Sequence, residues 1–167
     1  MTLPAANNRT ASSSEVLQLL REICLPLAVE RVALPNAGGR VLCEPICAPE
    51  DQPAFDRSSV DGFAVRRDDA AARFRVVDEI RAGDWKPRQL QPGEAVRIAT
   101  GGALPSDGLQ VVMREDAERE GEFLSVLRRD DERNIRFRGE DARARQVLIE
   151  PGIWLYPGTL GLLASVG

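Results

Sequence analysis

From residue 63 onward the apolar residues arrive in short runs, each closed by a turn signal, and that rhythm is the tightest constraint on the fold. Phe63-Ala64-Val65, Phe74 to Ile80, Ala95 to Ala99, Leu109 to Met113 and Glu122 to Leu127 each have about the length of one strand. Ala82-Gly83-Asp84, Gln91-Pro92-Gly93 and Glu120-Gly121 punctuate them as turns. Little helical periodicity intervenes, so the stretch predicts a compact, mainly β lobe.

The flanks read differently. Met1 to Thr10 is expected to fray, and Ser12 to Ser14 offer an N-cap for a helix carrying Val16, Leu17, Leu19, Leu20 and Ile23, which Pro26 ends. Val29 to Leu34 predicts a strand, Pro35 to Gly39 a turn cluster, and Arg40 to Cys47 renewed strand. Pro49, Glu50, Asp51 and Pro53 mark a linker. Val147 to Leu155 is β-like around Glu150-Pro151-Gly152, Thr159 is expected to cap a short helix Leu160 to Val166, and Gly167 stands at its C-cap. A chain stopping at the close of an element is expected to continue in its natural form. The fold class expected is mainly β (α+β) and two-lobed. An outer α+β lobe, 14–48 with 146–167, carries both helices; a β-rich lobe, 49–145, is inserted into it; and 1–13 is a flexible terminus.

At 167 residues the chain is long enough to bury a real core. Its 22 basic and 26 acidic side chains are well mixed, which argues against a general electrostatic grip on nucleic acid or an anionic membrane. No apolar run of transmembrane length and no signal peptide are visible, so the expected location is the cytoplasm. Cys24, Cys43 and Cys47 lack zinc or redox spacing and are expected as buried, reduced thiols. With no histidine, the usual general base and the serine–histidine triad are excluded. Chemistry must come from carboxylates, hydroxyls, backbone amides or a hard ion such as magnesium.

Three stretches concentrate such groups. Asp56-Arg57-Ser58-Ser59-Val60-Asp61-Gly62 packs carboxylates and hydroxyls into a loop running straight into a strand, which fits a rigidly held functional loop. It fits an Asx or Ser turn followed by a hairpin corner equally well. Thr100-Gly101-Gly102 follows a strand and offers a hydroxyl beside approachable amides, a possible oxyanion cradle or an ordinary turn. Arg136 and Arg138 share a face if extended, with Gly139-Glu140-Asp141 behind them. Two guanidinium forks and two carboxylates suit a phosphate and a metal, or a solvated ion-pair network.

Taken together, Asp56 to Ala64, Ile98-Ala99-Thr100-Gly101 with Pro105 and Val111-Val112, and Asn134 to Asp141 resemble the amino-terminal region of the molybdopterin molybdotransferases, the MoeA and gephyrin E-domain family. Leu162 to Gly167 resembles that family's junction before its next domain, so the likeness covers roughly the first two of four domains. The resemblance implies a parent enzyme that inserts molybdate into adenylylated molybdopterin with magnesium and releases AMP. By position it implies catalytic Asp61, Thr100 and Asp141. It implies substrate or anion contacts from Ser58, Ser59, Gly101, Arg136 and Arg138, and metal contacts from Asp61, Asp141 and Glu140. It further implies a homodimer whose site this lobe forms with the partner's third domain, and a molybdopterin adenylyltransferase as supplier of substrate. The sequence departs from the family pattern at Arg57, Phe63, Leu109 and Gly108, where Asn, Tyr, an acidic residue and a turn glycine one place earlier are usual. The rival expectation is a non-catalytic dimerisation and scaffold module. An unrelated β-rich phosphate-binding module requires the motif order to be coincidence.

Overall fold

The computed structural model describes residues 11–25, 27–129 and 132–167. The frayed start expected for Met1 to Thr10 and the helix stop expected at Pro26 lie outside these residues. The chain divides into two compact units, Met1–Ala37 and Gly38–Gly167.

In the first unit α1 spans Ser13–Ile23. Ser12 caps it: its hydroxyl accepts from Glu15 N at 3.3 Å, while the Glu15 carboxylate accepts from Ser12 N at 2.7 Å. This reciprocal capping box satisfies amides that a helix start otherwise leaves unpaired. No residue of α1 is buried. The strand expected over Val29 to Leu34 does not form. Val29 is exposed, no partner strand among the described residues pairs with the segment, and Leu34–Asn36 closes into a single 3-10 turn around Pro35. Alternation without a partner to complete the ladder gives extended chain only.

The second unit begins with paired ends. β1, Ile46–Cys47, runs antiparallel to β10, Val147–Ile149, and an isolated bridge joins Val41 to Trp154. The strand character expected over Arg40 to Cys47 and Val147 to Leu155 is thus realised as a short ladder. α2 spans Pro157–Val166, with Tyr156 at its N-cap. Thr159 lies inside the first turn and is not the cap, because Pro157 begins the helix at the one position where a missing N–H costs nothing. Gly167 takes φ 97° at the C-terminal end, as a glycine readily does. Cys24, Cys43 and Cys47 are free, as expected, but all three are exposed and not buried.

Between these ends lies a six-stranded sheet. β3 (Gly62–Arg66) is antiparallel to both β5 (Glu94–Ile98) and β6 (Leu109–Met113). β4 (Arg73–Ile80) lies parallel to β5, and β8 (Phe123–Val126) pairs antiparallel to β4. β7 (Ala117–Glu120) completes the edge beside β8. All five expected runs became strands within a residue or two. β7 carried no apolar signal; its Glu118, Arg119 and Glu120 are exposed, a composition that suits an edge where further pairing must be discouraged. Successive β3 side chains alternate between two cores: Phe63 and Val65 pack with Phe74 and Leu124, while Ala64 packs with Ile80, Ile98 and Val111. Burial on both faces holds β3 rigid, and its Gly62 end carries the first functional stretch.

A small two-stranded ladder joins β2 (Arg57–Ser58) to β9 (Ile135–Arg136), with Arg57 opposite Arg136 and Ser58 opposite Ile135.

Candidate active site

The three stretches singled out in the sequence are bonded to one another through β2. On one side Ser58 N donates to Gly102 O, Gly101 N donates to Ser58 O, and Leu104 N donates to Asp56 O, each at 2.9 Å. On the other side β2 pairs with β9, and Ser59 N donates to Asn134 O at 3.0 Å. The Asp56–Ser59 segment is therefore the middle of a three-segment layer. Residues from about forty to about eighty positions apart in sequence meet there by backbone hydrogen bonds, which fix relative position better than side-chain contacts do.

Asp61 leaves this layer just before β3 and meets Thr100. The Asp61 Oδ1 accepts from Thr100 N at 2.7 Å and from the Thr100 hydroxyl at 3.0 Å. Those two bonds, and then the nearby Arg114 and Arg97 guanidiniums, hold its carboxyl below the ordinary value of 3.8. A cavity of about 150 Å³ opens here, lined by Asp61, Phe63, Glu79, Arg97 and Arg114 among others. Arg97 sits opposite Phe63 on one side and Glu79 on the other, and its Nη1 lies 3.4 Å from Glu79 Oε2. Arg114 lies beyond the end of β6, where its N donates to Asp61 O, and its guanidinium makes no hydrogen bond or ion pair among the described residues.

A linked prediction concerns acid. The folded pKa of Asp61 is depressed, so the unfolded chain takes up its proton first as pH falls. The stabilisation from Asp61 is present above 3.8 and is lost as pH drops through the lower folded value. Urea midpoints measured from about pH 5 downward should show Asp61→Asn removing part of the acid limb. An unchanged limb contradicts the Thr100–Asp61 pairing in solution.

The second half of the site is the arm after β9. Arg136 Nη2 donates to Asp141 Oδ1 at 2.6 Å, its Nη1 lies 3.3 Å from Glu140 Oε1, and Glu140 also accepts from Phe137 N at 2.8 Å. Arg138 N donates to Asp56 Oδ1 and its Nε donates to Asp51 Oδ2, both at 2.7 Å.

Several sequence expectations need correction against this geometry. The oxyanion cradle of free amides at Thr100-Gly101-Gly102 is not formed, since Thr100 N goes to Asp61, Gly101 N to Ser58 O and Gly102 N to Ala99 O. Gly102 is required for space: a Cβ there would stand 2.8 Å from Ile98 Cγ1 and 2.9 Å from Ala99 O. Ser58 is buried and its hydroxyl donates to Val60 O at 2.6 Å, the Ser turn that was the alternative reading, so it has no free proton for an anion. Ser59 is exposed, with its amide committed to Asn134 O. Arg138 Nε is spent on Asp51. Among the described residues no three metal-ligating side chains cluster, and Asp141 and Glu140, expected with Asp61 as magnesium ligands, both face Arg136. One guanidinium faces two carboxylates there, so they form no cage of protein oxygens; a magnesium ion held by one or two of them would complete its shell with water and phosphate oxygens.

Asp51, Glu79 and Arg114 were missed as site residues, and Arg97 was quoted without a role. Cross-strand pairing, invisible in any local window, is what brings Arg97 to Glu79 and Phe63. A wider groove of about 620 Å³, lined by Arg66, Arg67 and Arg133, lies at the Arg66 end of β3 and away from this chemistry.

A family model for the MoeA N-terminal region (domain I and II) matches residues 11–167. The chain belongs to the MoeA N-terminal family. It is 43% identical over 150 residues to the molybdopterin molybdenumtransferase of Bacillus subtilis (strain 168), covering 83% of this chain and 35% of that protein. It is 37% identical over 165 residues to the protein of the same name from Synechococcus elongatus, covering 93% of this chain and 41% of that one. A crystal structure of the molybdopterin biosynthesis moeA protein from Pyrococcus horikoshii OT3 matches with TM-score 0.75 at 36% identity, over 83% of this chain and 38% of that chain. A second Pyrococcus moeA structure matches with TM-score 0.79 at 28% identity, over 95% and 43%. The mainly β fold with an N-terminal and a C-terminal helix is thus that of MoeA structures. This MoeA-family chain spans less than half the length of the relatives it matches, and no helix among its described residues is long and apolar enough to cross a membrane.

Proposed function

We propose that this chain is the domain I and II part of a molybdenum cofactor biosynthesis enzyme that inserts molybdate into adenylylated molybdopterin and releases AMP. One observation supports the reading: the three motif segments are hydrogen-bonded into a single layer, and Asp61, Thr100, Arg136 and Asp141, on or beside it, are all exposed. The surface ion pairs among them are worth little as stabilisers. The names of the bacterial relatives support the same chemistry.

In this reading both molybdate and the adenylyl phosphate arrive as anions. Arg114, Arg97 and Arg136 supply positive charge for them, and the Arg136 fork, which faces Glu140 and Asp141, takes anion oxygens by exchanging those carboxylates. Asp61 fixes Thr100, whose hydroxyl is turned by that bond towards the carboxylate and is held at a set position beside the cavity. Asp141 sets the plane of the Arg136 guanidinium. Release of AMP cleaves the phosphoanhydride that joins it to molybdopterin, with water adding to phosphorus as AMP leaves, and the dithiolene sulfurs take up molybdate as its displaced oxygen departs as water.

The proposal includes the division into an outer lobe, 14–48 with 146–167, and an inserted lobe, 49–145. Pairing of β1 with β10, and the confinement of the six-stranded sheet to residues within 62–126, support it for the residues from Gly38 onward. It also includes a cytoplasmic homodimer supplied by a molybdopterin adenylyltransferase, as the family resemblance implies.

The test is to give the full-length protein adenylylated molybdopterin with and without molybdate and to measure AMP. Molybdate-dependent AMP release is expected. Its absence in a folded, dimeric preparation favours the scaffold reading instead.

A further inference from the structure

Asp51, which reads in the sequence as one acid in a proline-rich linker, sits where the chain entering the β lobe crosses the chain leaving it. Its Oδ1 accepts from Ala144 N at 2.8 Å and its Oδ2 accepts from Arg138 Nε at 2.7 Å. The carboxylate thus spans both ends of the arm that carries Asp141. Gly139 packs against it as well: a Cβ at Gly139 would lie 3.5 Å from Asp51 Cγ. The neighbours of Asp51 bind the same arm through backbone. Gln52 O accepts from Asp141 N at 2.8 Å, Gln52 N donates to Ala142 O at 2.7 Å, and Pro53 O accepts from Gly139 N at 2.9 Å.

We propose that Asp51 is a positioning residue of this site, with Arg138 as its tether: together they fix the arm on which Arg136 and Asp141 face each other. The inference rests on the reading of the site given above. Arg138 is then read as a tether rather than a ligand for substrate, since its Nε is held by Asp51.

Magnitudes separate positioning from stability. The Arg138 side chain is 66% exposed and that of Asp51 21%, and an ion pair so open to solvent contributes little to folding. A shift of the arm by a fraction of an ångström is a different matter, since misplacing a reacting group costs rate steeply. Loss of the tether should therefore cost turnover far more than it costs melting temperature.

The experiment uses the full-length protein and compares Asp51→Asn, Arg138→Ala, their combination, and Asp141→Ala as a reference. Asn keeps an oxygen for Ala144 N but not the charge facing Arg138. Molybdate-dependent AMP release is expected to fall about tenfold in kcat in each single variant, with KM for the adenylylated pterin unchanged and little change in Tm. The double variant should be no slower than the slower single one, because both changes break one tether. Wild-type kcat in Asp51→Asn and Arg138→Ala beside a crippled Asp141→Ala overturns the positioning role while leaving the site reading intact. A raised KM in Arg138→Ala makes Arg138 a ligand and also overturns it. A kcat loss matched by a large drop in Tm reduces Asp51 to a structural role. Wild-type activity in Asp141→Ala removes the reading of the site, and this inference with it.

Discussion

Replacing Asp61 by alanine in the full-length protein is expected to lower molybdate-dependent AMP release by about a hundredfold or more while leaving the fold intact. The side chain is exposed, and its two hydrogen bonds both go to Thr100. Without it the Thr100 amide and hydroxyl lose the acceptor that aligns them, and Arg97 and Arg114 lose a nearby carboxylate. Alanine also removes negative charge from a pocket that receives anions. KM for molybdate should therefore hold or fall while kcat collapses, which separates a lost catalytic arrangement from lost binding. Thr100→Val keeps the amide bond and loses the hydroxyl, so it should fall between the wild type and Asp61→Ala. Steady-state AMP release beside a thermal melt measures both. A variant that keeps its rate would detach Asp61 from the chemistry.

Gly62→Ala should be the most damaging single methyl in the chain. A Cβ there would stand 2.0 Å from Val112 O, 3.0 Å from Val112 C and 3.1 Å from Val111 Cγ1. Two of those atoms are backbone of β6, so nothing can swing aside, and β3 must part from its neighbour. Overpacking of this kind costs roughly 3 kcal/mol or more, a large share of the about 5–15 kcal/mol that holds a typical domain. Gly161→Ala supplies the control. It lies within α2 with nothing within 4 Å of a new Cβ, and it should gain up to about 1 kcal/mol from helix propensity. Opposite shifts of the urea midpoint for the same chemical change would show that packing against β6 decides the first case. Equal shifts would contradict the β3–β6 register.

Elements whose cause is local were legible in the sequence. Ser12 to Ser14 offer the N-cap of α1 and Ser12 takes it, and β3, β4, β5, β6 and β8 are apolar runs that bury themselves against one or both faces of one sheet. Elements that exist because a distant partner pairs with them were not. β7 is charged at three of its four positions and is a strand only because β8 lies beside it, whereas Val29 to Leu34 has the pattern and lacks a partner among the described residues. The same divide runs through the site. Asp61, Thr100 and Asp141 were recognised through motif resemblance, but no sequence window shows that Asp61 holds Thr100, that Arg97 faces Glu79, or that Asp51 ties down the arm. The cradle reading failed for a related reason. Glycine signals that the backbone can be approached closely, without saying by what; here Gly101 is approached by Ser58, and Gly102 leaves no room for more than a hydrogen at its α-carbon.

The central claim is that the two carboxylate clusters, Asp61 with Thr100 and Asp141 with Arg136, act as one site through the layer built on β2. The most direct measurement is kcat for AMP release by Asp61→Ala, Asp141→Ala and the double variant of the full-length protein. If the clusters hold one arrangement, the double variant should be no slower than the slower single variant, since either loss already dismantles it. Two losses that multiply in the double variant would mean independent contributions and would contradict the single-site account.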